Sequence, residues 1–210
     1  MQGLSDASIK SNCPHCDFNS QAFKFPIEET KQFFIVADAH PVCEGHILLI
    51  SKKHISCVGE YSEKLMVEFK ELYQKISDFI KKTYGSVSVF EHGVFGQTVF
   101  HSHIHFLPFK GDPTLIIPEG KEKITAIHNL KELDFYLKKD HGYLFFSIEK
   151  KMWVVDPFLA SPRFFRDRFA KAIGRPERSD WKAMANNPIF MKAVEHDDFQ
   201  TQAKWLEFFR

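Results

Sequence analysis

Val99-Phe100-His101-Ser102-His103-Ile104-His105-Phe106-Leu107 alternates histidines with apolar or small residues, and Pro108 follows it. A period of two marks a strand with one face buried, so the sequence predicts a strand over 99–107 that Pro108 ends. His101, His103 and His105 then share one face, and Phe100, Ser102, Ile104 and Phe106 share the other. Same-face neighbours stand about 6.6–6.8 Å apart, which puts His101 and His105 about 13 Å from each other. That is too far for both to bind one metal ion at about 2.1 Å. The stretch is therefore no three-histidine metal site, and it reads as a row of imidazoles along a ligand. The bland alternative is a polar strand face that happens to be rich in histidine.

Outward from this strand, 33–38 (FFIVAD) and 46–50 (HILLI) are short apolar strands, separated by turn signals at His40-Pro41 and Glu44-Gly45. Leu65, Phe69, Leu72, Ile76, Phe79 and Ile80 recur at steps of three and four between Ser62 and Tyr84. They predict an amphipathic helix with Ser62 at its N-cap and Gly85 stopping it. Ser86 to Phe90 alternates as a strand. Residues 114–117 and 124–127 are weaker strands, 130–138 a short helix, and 143–148 with 151–155 a hairpin across Glu149-Lys150. Ser161-Pro162 reads as a helix start, with Gly174 and Pro176 as the stop, and a last helix is expected over about Asp198 to Phe209. Strands dominate the first two thirds and helices the end, which makes the fold class α+β.

The chain has 210 residues, 44% hydrophobic and 26% charged, as in an ordinary globular protein with a core of its own. Phenylalanine is the exception at 23 copies, so the core is unusually aromatic. Lysine and arginine total 28 against 27 acids, a balance that gives no footprint for nonspecific nucleic-acid binding. No run reaches the ~18–20 apolar residues of a bilayer span, and the start, Met1 to Lys10, lacks a signal-peptide apolar region. The expectation is a cytoplasmic protein with neither nucleic acid nor membrane as partner. In a reducing compartment the four cysteines are thiols or metal ligands rather than a disulfide frame. Cys43 and Cys57 stand alone in apolar company. Cys13-Pro14-His15-Cys16 is a CxxC, open to a redox reading, to a zinc reading that needs two further ligands from elsewhere, and to a plain pair of thiols.

His101-Ser102-His103-Ile104-His105-Phe106-Leu107, with Gly96-Gln97-Thr98-Val99 before it, resembles the motif of the histidine-triad family. Gly45 to His54 resembles the family's Gly-His strand and the basic turn that ends in histidine, with Ser51 where members usually carry proline. The resemblance covers about residues 12–110. Within the family, Phe90-Glu91-His92-Gly93 and the tail segments 143–155, 163–174 and Asp180-Trp181 are similar to a bacterial diadenosine polyphosphate hydrolase-like subgroup.

The resemblance implies a histidine-triad fold: a curved antiparallel sheet with flanking helices over 1–110, carrying an α-rich extension over 111–210. It also implies nucleotide chemistry through a covalent nucleotidyl-histidine. His103 would be the nucleophile, one ring nitrogen free for phosphorus and the other held by the carbonyl of His101. His105 would serve the α-phosphate and leaving group, Gln97 and Thr98 would donate to phosphate oxygens, and His46 would stand on the phosphate side. Asp38 would bond the ribose, and Phe34 and Ile35 would sandwich the base. A subset of the family places structural zinc on residues matching Cys13, Cys16, His54 and His101. No organic cofactor is implied. Members are often homodimers, and the extension would cover or extend that surface.

Substrates implied are a dinucleoside polyphosphate or a nucleoside phosphoramidate, cleaved to a nucleoside monophosphate. A nucleotidyltransferase related to galactose-1-phosphate uridylyltransferase is the first rival, although that enzyme has glutamine where His105 stands. A nucleotide-binding sensor with little turnover is the second. Arg163, Arg166 and Arg168 read first as solvated charges on an amphipathic helix, and second as partners of distal phosphates.

Overall fold

The structure is a computed structural model that describes residues 10–180, 182 and 187–210. Trp181 and the start of the chain before Lys10 lie outside the described residues.

The apolar runs of the first half pair as their alternation requires. Strands β1 (Pro26–Glu29), β2 (Phe33–Ala37) and β3 (Ile47–Ser51) form an antiparallel series. Gly45 sits at φ 84° in the turn before β3. A Cβ there would come within 2.8 Å of the Tyr84 ring, so backbone angle and close approach both call for glycine. Helix α1 (Glu63–Tyr84) begins at Ser62, whose Oγ accepts from the Leu65 N–H, and stops at Gly85 in the left-handed region. Strands β4 (Ser88–Gly93) and β5 (His103–Leu107) follow.

The second half continues the same sheet. Strands β6 (Ile124–Ile127), β7 (Tyr143–Ile148) and β8 (Lys151–Val155) complete eight strands in the order β1-β2-β3-β5-β4-β7-β8-β6, each neighbour antiparallel. Helix α2 (Glu132–Asp140) precedes β7, and α3 (Phe164–Ala172) and α4 (Pro188–Phe208) end the chain. The fold is α+β, one antiparallel sheet with helices packed on it.

Each face of the sheet has its own core. On one face, α1 lays Phe69, Ile76, Phe79 and Ile80 over Phe33, Ile35, Leu49, Ile104 and Phe106. On the other, Phe164, Phe165 and Phe169 of α3 pack on Phe90, Phe146 and Leu107. Burying each such side chain contributes about 1.5–3 kcal/mol, and the two cores together bury eleven of the 23 phenylalanines. Helix α4 closes the α1 side, with Trp205 and Phe79 ring centroids 4.9 Å apart.

Several expectations are corrected. The strand of the triad begins at His103, and 99–102 approach it as irregular chain. Residues 114–117 are not a strand. Asp112 caps a 3-10 turn over Pro113–Leu115, and consecutive Ile116 and Ile117 are both buried, which no half-buried strand allows. Ser161 does not cap α3 with its side chain. Its carbonyl accepts from the Phe164 N–H, and Arg163 holds the N-cap position at φ 62°. The last helix starts ten residues early, at Pro188 behind an Asn187 cap. Strand β1 is a short edge strand whose sequence carries no apolar alternation to mark it.

Candidate active site

The register β3–β5–β4 fixes the imidazoles. His103 pairs with Ile50, and His105 with Leu48 on one side and Phe90 on the other. Alternation turns both rings toward the α3 face, where His105 stacks on Phe90 with centroids 4.2 Å apart. Both line a cleft of about 600 Å³, walled by Asp38, His40, Thr98 and His92 from the first half and by Pro162, Arg163, Arg166 and Lys182 from the second.

Hydrogen bonds assign the tautomers. His103 Nδ1 lies 2.6 Å from the His101 carbonyl oxygen. A carbonyl only accepts, so Nδ1 carries the proton and Nε2 keeps its lone pair. The Val42 N–H donates to His46 Nδ1 at 3.0 Å, which leaves the His46 proton on Nε2. That nitrogen is 2.9 Å from His105 Nδ1, so His105 accepts there and holds its own proton on Nε2. Burial drives all three toward the neutral form. His103 lies below the ordinary imidazole value, His105 well below it, and His46 falls to about 4. The site thus pairs one free imidazole lone pair with one N–H donor on neighbouring rings, 5.1 Å between centroids.

Asp38 stands beside this pair but both its oxygens already accept from protein. Oδ1 takes the His40 N–H at 3.0 Å, and Oδ2 lies 3.1 Å from Arg166 Nη1 and 3.4 Å from His46 Nε2. Burial opposes its ionisation, yet His46, Arg166 and the His40 amide outweigh it and hold the carboxyl well below the usual carboxylate range. Of these, only Arg166 carries a permanent charge.

At the other end of the triad, His101 turns away from the cleft. Its Nε2–H donates to the Ser51 carbonyl at 2.6 Å, which points the Nδ1 lone pair at Cys13 Sγ and Cys16 Sγ, each 3.4 Å away. His54 Nδ1 is 3.4 Å from Cys16 Sγ. The four ligand atoms lie within 4.8 Å of one another. Two thiols and two imidazoles in a closed cluster are a donor set suited to tetrahedral zinc, and the Ser51 bond is the outer contact that such a histidine ligand needs. This cluster can hold a metal ion.

Not every residue expected at the site arrives there. Ile35 is fully buried in the α1-side core, because neighbours on a strand face opposite ways, and the base-sandwich expectation fails for it. Phe34 faces the cleft side but packs on Phe18 and Phe23 rather than on the cleft. Gln97 points away, its Nε2 donating to the Ser56 carbonyl at 2.7 Å, while Thr98 lines the cleft. Cys43 and Cys57 are buried thiols, each pushed up to about 12 mainly by burial.

Three residues gain weight from the structure. Arg166 is buried, not solvated, whereas Arg168 does take the surface role in a two-pronged pair with Glu119. His92 lines the cleft and accepts the Phe165 N–H on Nε2 at 3.2 Å, so its Nδ1 carries the proton. His15, carried between the two cysteines, meets the His103 ring edge-on. The first needed a contact between chain segments 128 residues apart, which no local pattern encodes.

A strand that turns two imidazoles over a cleft, with a closed Cys/His cluster at its head, is the arrangement that the sequence resemblance implies. The HIT domain family matches residues 19–112. An uncharacterized HIT-like protein of Mycoplasma genitalium is 32% identical over 108 residues, 49% of this chain and 77% of its own. Adenylylsulfatase HINT3 of Arabidopsis thaliana is 26% identical over 133 residues, 61% of this chain and 66% of its own. Among solved structures, a HIT family member from Bacillus subtilis is 28% identical, covering 46% of this chain and 72% of that one at a TM-score of 0.40. The chain belongs to the HIT domain family.

Proposed function

We propose that this protein is a nucleotide hydrolase working through a covalent nucleotidyl-histidine on His103. The observation that carries the reading is the 2.6 Å bond from His103 Nδ1 to the His101 carbonyl, which leaves Nε2 as a lone pair facing a 600 Å³ cleft. In the first step His103 Nε2 forms a bond to the α-phosphorus and the bond to the departing group breaks, its electron pair leaving with that group. The imidazolium charge so formed is stabilised by the His101 carbonyl. His105 Nε2–H and the Thr98 hydroxyl, both lining the cleft, would donate to the non-bridging oxygens, where charge builds. In the second step water adds to phosphorus and gives its proton to the solvent that fills the open cleft, the N–P bond breaks back onto Nε2, and a nucleoside monophosphate leaves.

The substrate class is a nucleoside monophosphate joined to a departing group through oxygen or nitrogen: a dinucleoside polyphosphate, an adenylyl sulfate of the kind the name of the Arabidopsis relative states, or a phosphoramidate. Cys13, Cys16, His54 and His101 would hold zinc, which when bound supplies a structural cross-link between the N-terminal loop and the head of the triad strand. Residues 1–110 would form the catalytic core and 111–210 an extension that shares its sheet.

The test is intact-protein mass spectrometry after a brief quench with diadenosine tetraphosphate, adenosine 5′-phosphosulfate and adenosine 5′-phosphoramidate, on wild type and His103→Ala. An acid-labile mass gain of one nucleoside monophosphate on wild type alone is expected. Equal release of AMP by both proteins would remove His103 from the mechanism.

A further inference from the structure

The cleft wall contributed by α3 has no counterpart in the half of the chain that carries the triad motif, and its chemistry is cationic. Among the described lining residues, Asp38 is the single acid, against Arg163, Arg166 and Lys182. Arg166 is itself 9% exposed and rigidly held. Its Nη1 faces Asp38, and its Nη2 donates to the carbonyls of His40 and Arg178. Its Nε–H is shielded from solvent and has no acceptor, so the contacts of Nη1 and Nη2 alone fix the guanidinium in place. Arg163 is the outer member. It is anchored by Asp180 at 2.7 Å and Asp167 at 3.5 Å, and its side chain remains 34% exposed at the cleft. One buried, rigidly held guanidinium and a second, partly exposed one thus line the same cleft as His103, where Asp38 is the single acid among the described lining residues.

Resting on the reading of His103 as nucleophile, we propose that α3 builds the subsite for the departing group, with Arg166 and Arg163 holding a departing group that is itself an anion, a phosphate or a sulfate. The nucleoside monophosphate half would occupy the His103–His105 side and the anion the α3 side. When the P–O bond breaks, its electron pair moves onto the departing oxygen, and the arginines stabilise that charge without moving a proton. The triad itself points the same way. An amine departing from a phosphoramidate must take up a proton, and His105 is held neutral by burial, by the neighbouring His103, His46 and His92, and by Arg166, so it donates a hydrogen bond more readily than a proton. An anionic departing group needs only the former.

The experiment compares kcat/KM for diadenosine tetraphosphate and adenosine 5′-phosphosulfate with that for adenosine 5′-phosphoramidate in full-length wild type, Arg163→Gln and Arg166→Lys. Arg168→Gln, at the Glu119 pair, is the control. The preference for an anionic departing group over the amine is expected to fall about ten-fold or more in Arg163→Gln, to fall in Arg166→Lys, and to hold in Arg168→Gln. A fall confined to the tetraphosphate assigns the subsite to phosphate, and one confined to the phosphosulfate assigns it to sulfate. Equal losses on all three substrates would overturn the proposal and make the arginines scaffold. In parallel, calorimetry with inorganic tripolyphosphate is expected to give Kd about ten-fold weaker in Arg163→Gln than in wild type. Unchanged binding would overturn the subsite. This arm needs no turnover, so absence of turnover with every substrate would count against the hydrolase reading while tripolyphosphate still decides the subsite. Because Arg166 is buried, Arg166→Lys is read only with an unchanged melting temperature, and Arg163→Gln carries the test if it unfolds.

Discussion

The ring of His15 meets the ring of His103 edge-on, with centroids 4.7 Å apart. His15 also stands 5.5 Å from His101 by ring centroids, is 6% exposed, and leaves its Nδ1 without a partner. A residue between Cys13 and Cys16 thus touches both His101 and His103. The Cys/His cluster is therefore joined to His103 twice, once through the His101 carbonyl and once through the His15 ring.

From this coupling, loading the cluster is expected to stabilise the fold. An ion at 1,000 times its Kd contributes about 4 kcal/mol, and for a chain of this length each kcal/mol moves the melting temperature by about 2–4 °C. Zinc added to metal-free protein should raise it by about 8–16 °C, with one equivalent bound, and Cys16→Ser should abolish both effects. His15→Ala should keep the zinc-dependent rise but lower kcat by about 10- to 100-fold through loss of alignment at His103. Metal analysis with scanning calorimetry decides the first part. An unchanged kcat in His15→Ala would show that the ring contact does not position the nucleophile.

A second prediction concerns the chain of imidazoles. The Val42 amide fixes His46, and His46 fixes His105, so His46 is expected to act through His105 rather than on a phosphate directly. His46→Ala should lower kcat by about 100-fold, toward the lower end of what a positioned proton-handling group contributes, and change KM little. His46→Gln retains a side-chain donor and should recover part of the loss. A large rise in KM with kcat intact would instead put His46 in ground-state phosphate binding.

Much of this site is legible in the sequence because it lies on regular elements. The period of two places His103 and His105 on one face, and the steps of three and four place α1, down to its Ser62 cap and Gly85 stop. The CxxC and two distant histidines assemble as the family resemblance implies. What is not legible depends on contacts between distant segments. Arg166 sits on a helix whose charges look solvated, and only the folding of α3 onto Phe90 and Phe146 brings it to Asp38. Gln97 precedes the strand, where the side-chain direction follows no period, and it turns to Ser56. Ile116-Ile117 shows the ambiguity of short apolar runs, whose periodicity cannot tell a strand from a buried turn.

A third prediction follows from Asp198 on α4. The side chain is fully buried, and neither carboxylate oxygen has a hydrogen-bond partner. Burial first, then the charges of Asp38 and Asp197, push its carboxyl up to about 9. An aspartate in the unfolded chain titrates near 4. Between about pH 4 and 9 the folded chain therefore holds a proton that the unfolded chain has released, and this group makes stability fall as pH rises through that window. An asparagine in its place has the same shape and never ionises, so the Asp198→Asn variant should match wild type near pH 4 and exceed it increasingly toward pH 8, by at least about 1 kcal/mol. At this chain length that is a rise of about 2–4 °C in melting temperature. Thermal unfolding of the two proteins at pH 4, 6 and 8 measures it. A difference that stays constant across the three values would mean that Asp198 does not change its protonation on folding, and that its carboxylate finds a cation inside the protein.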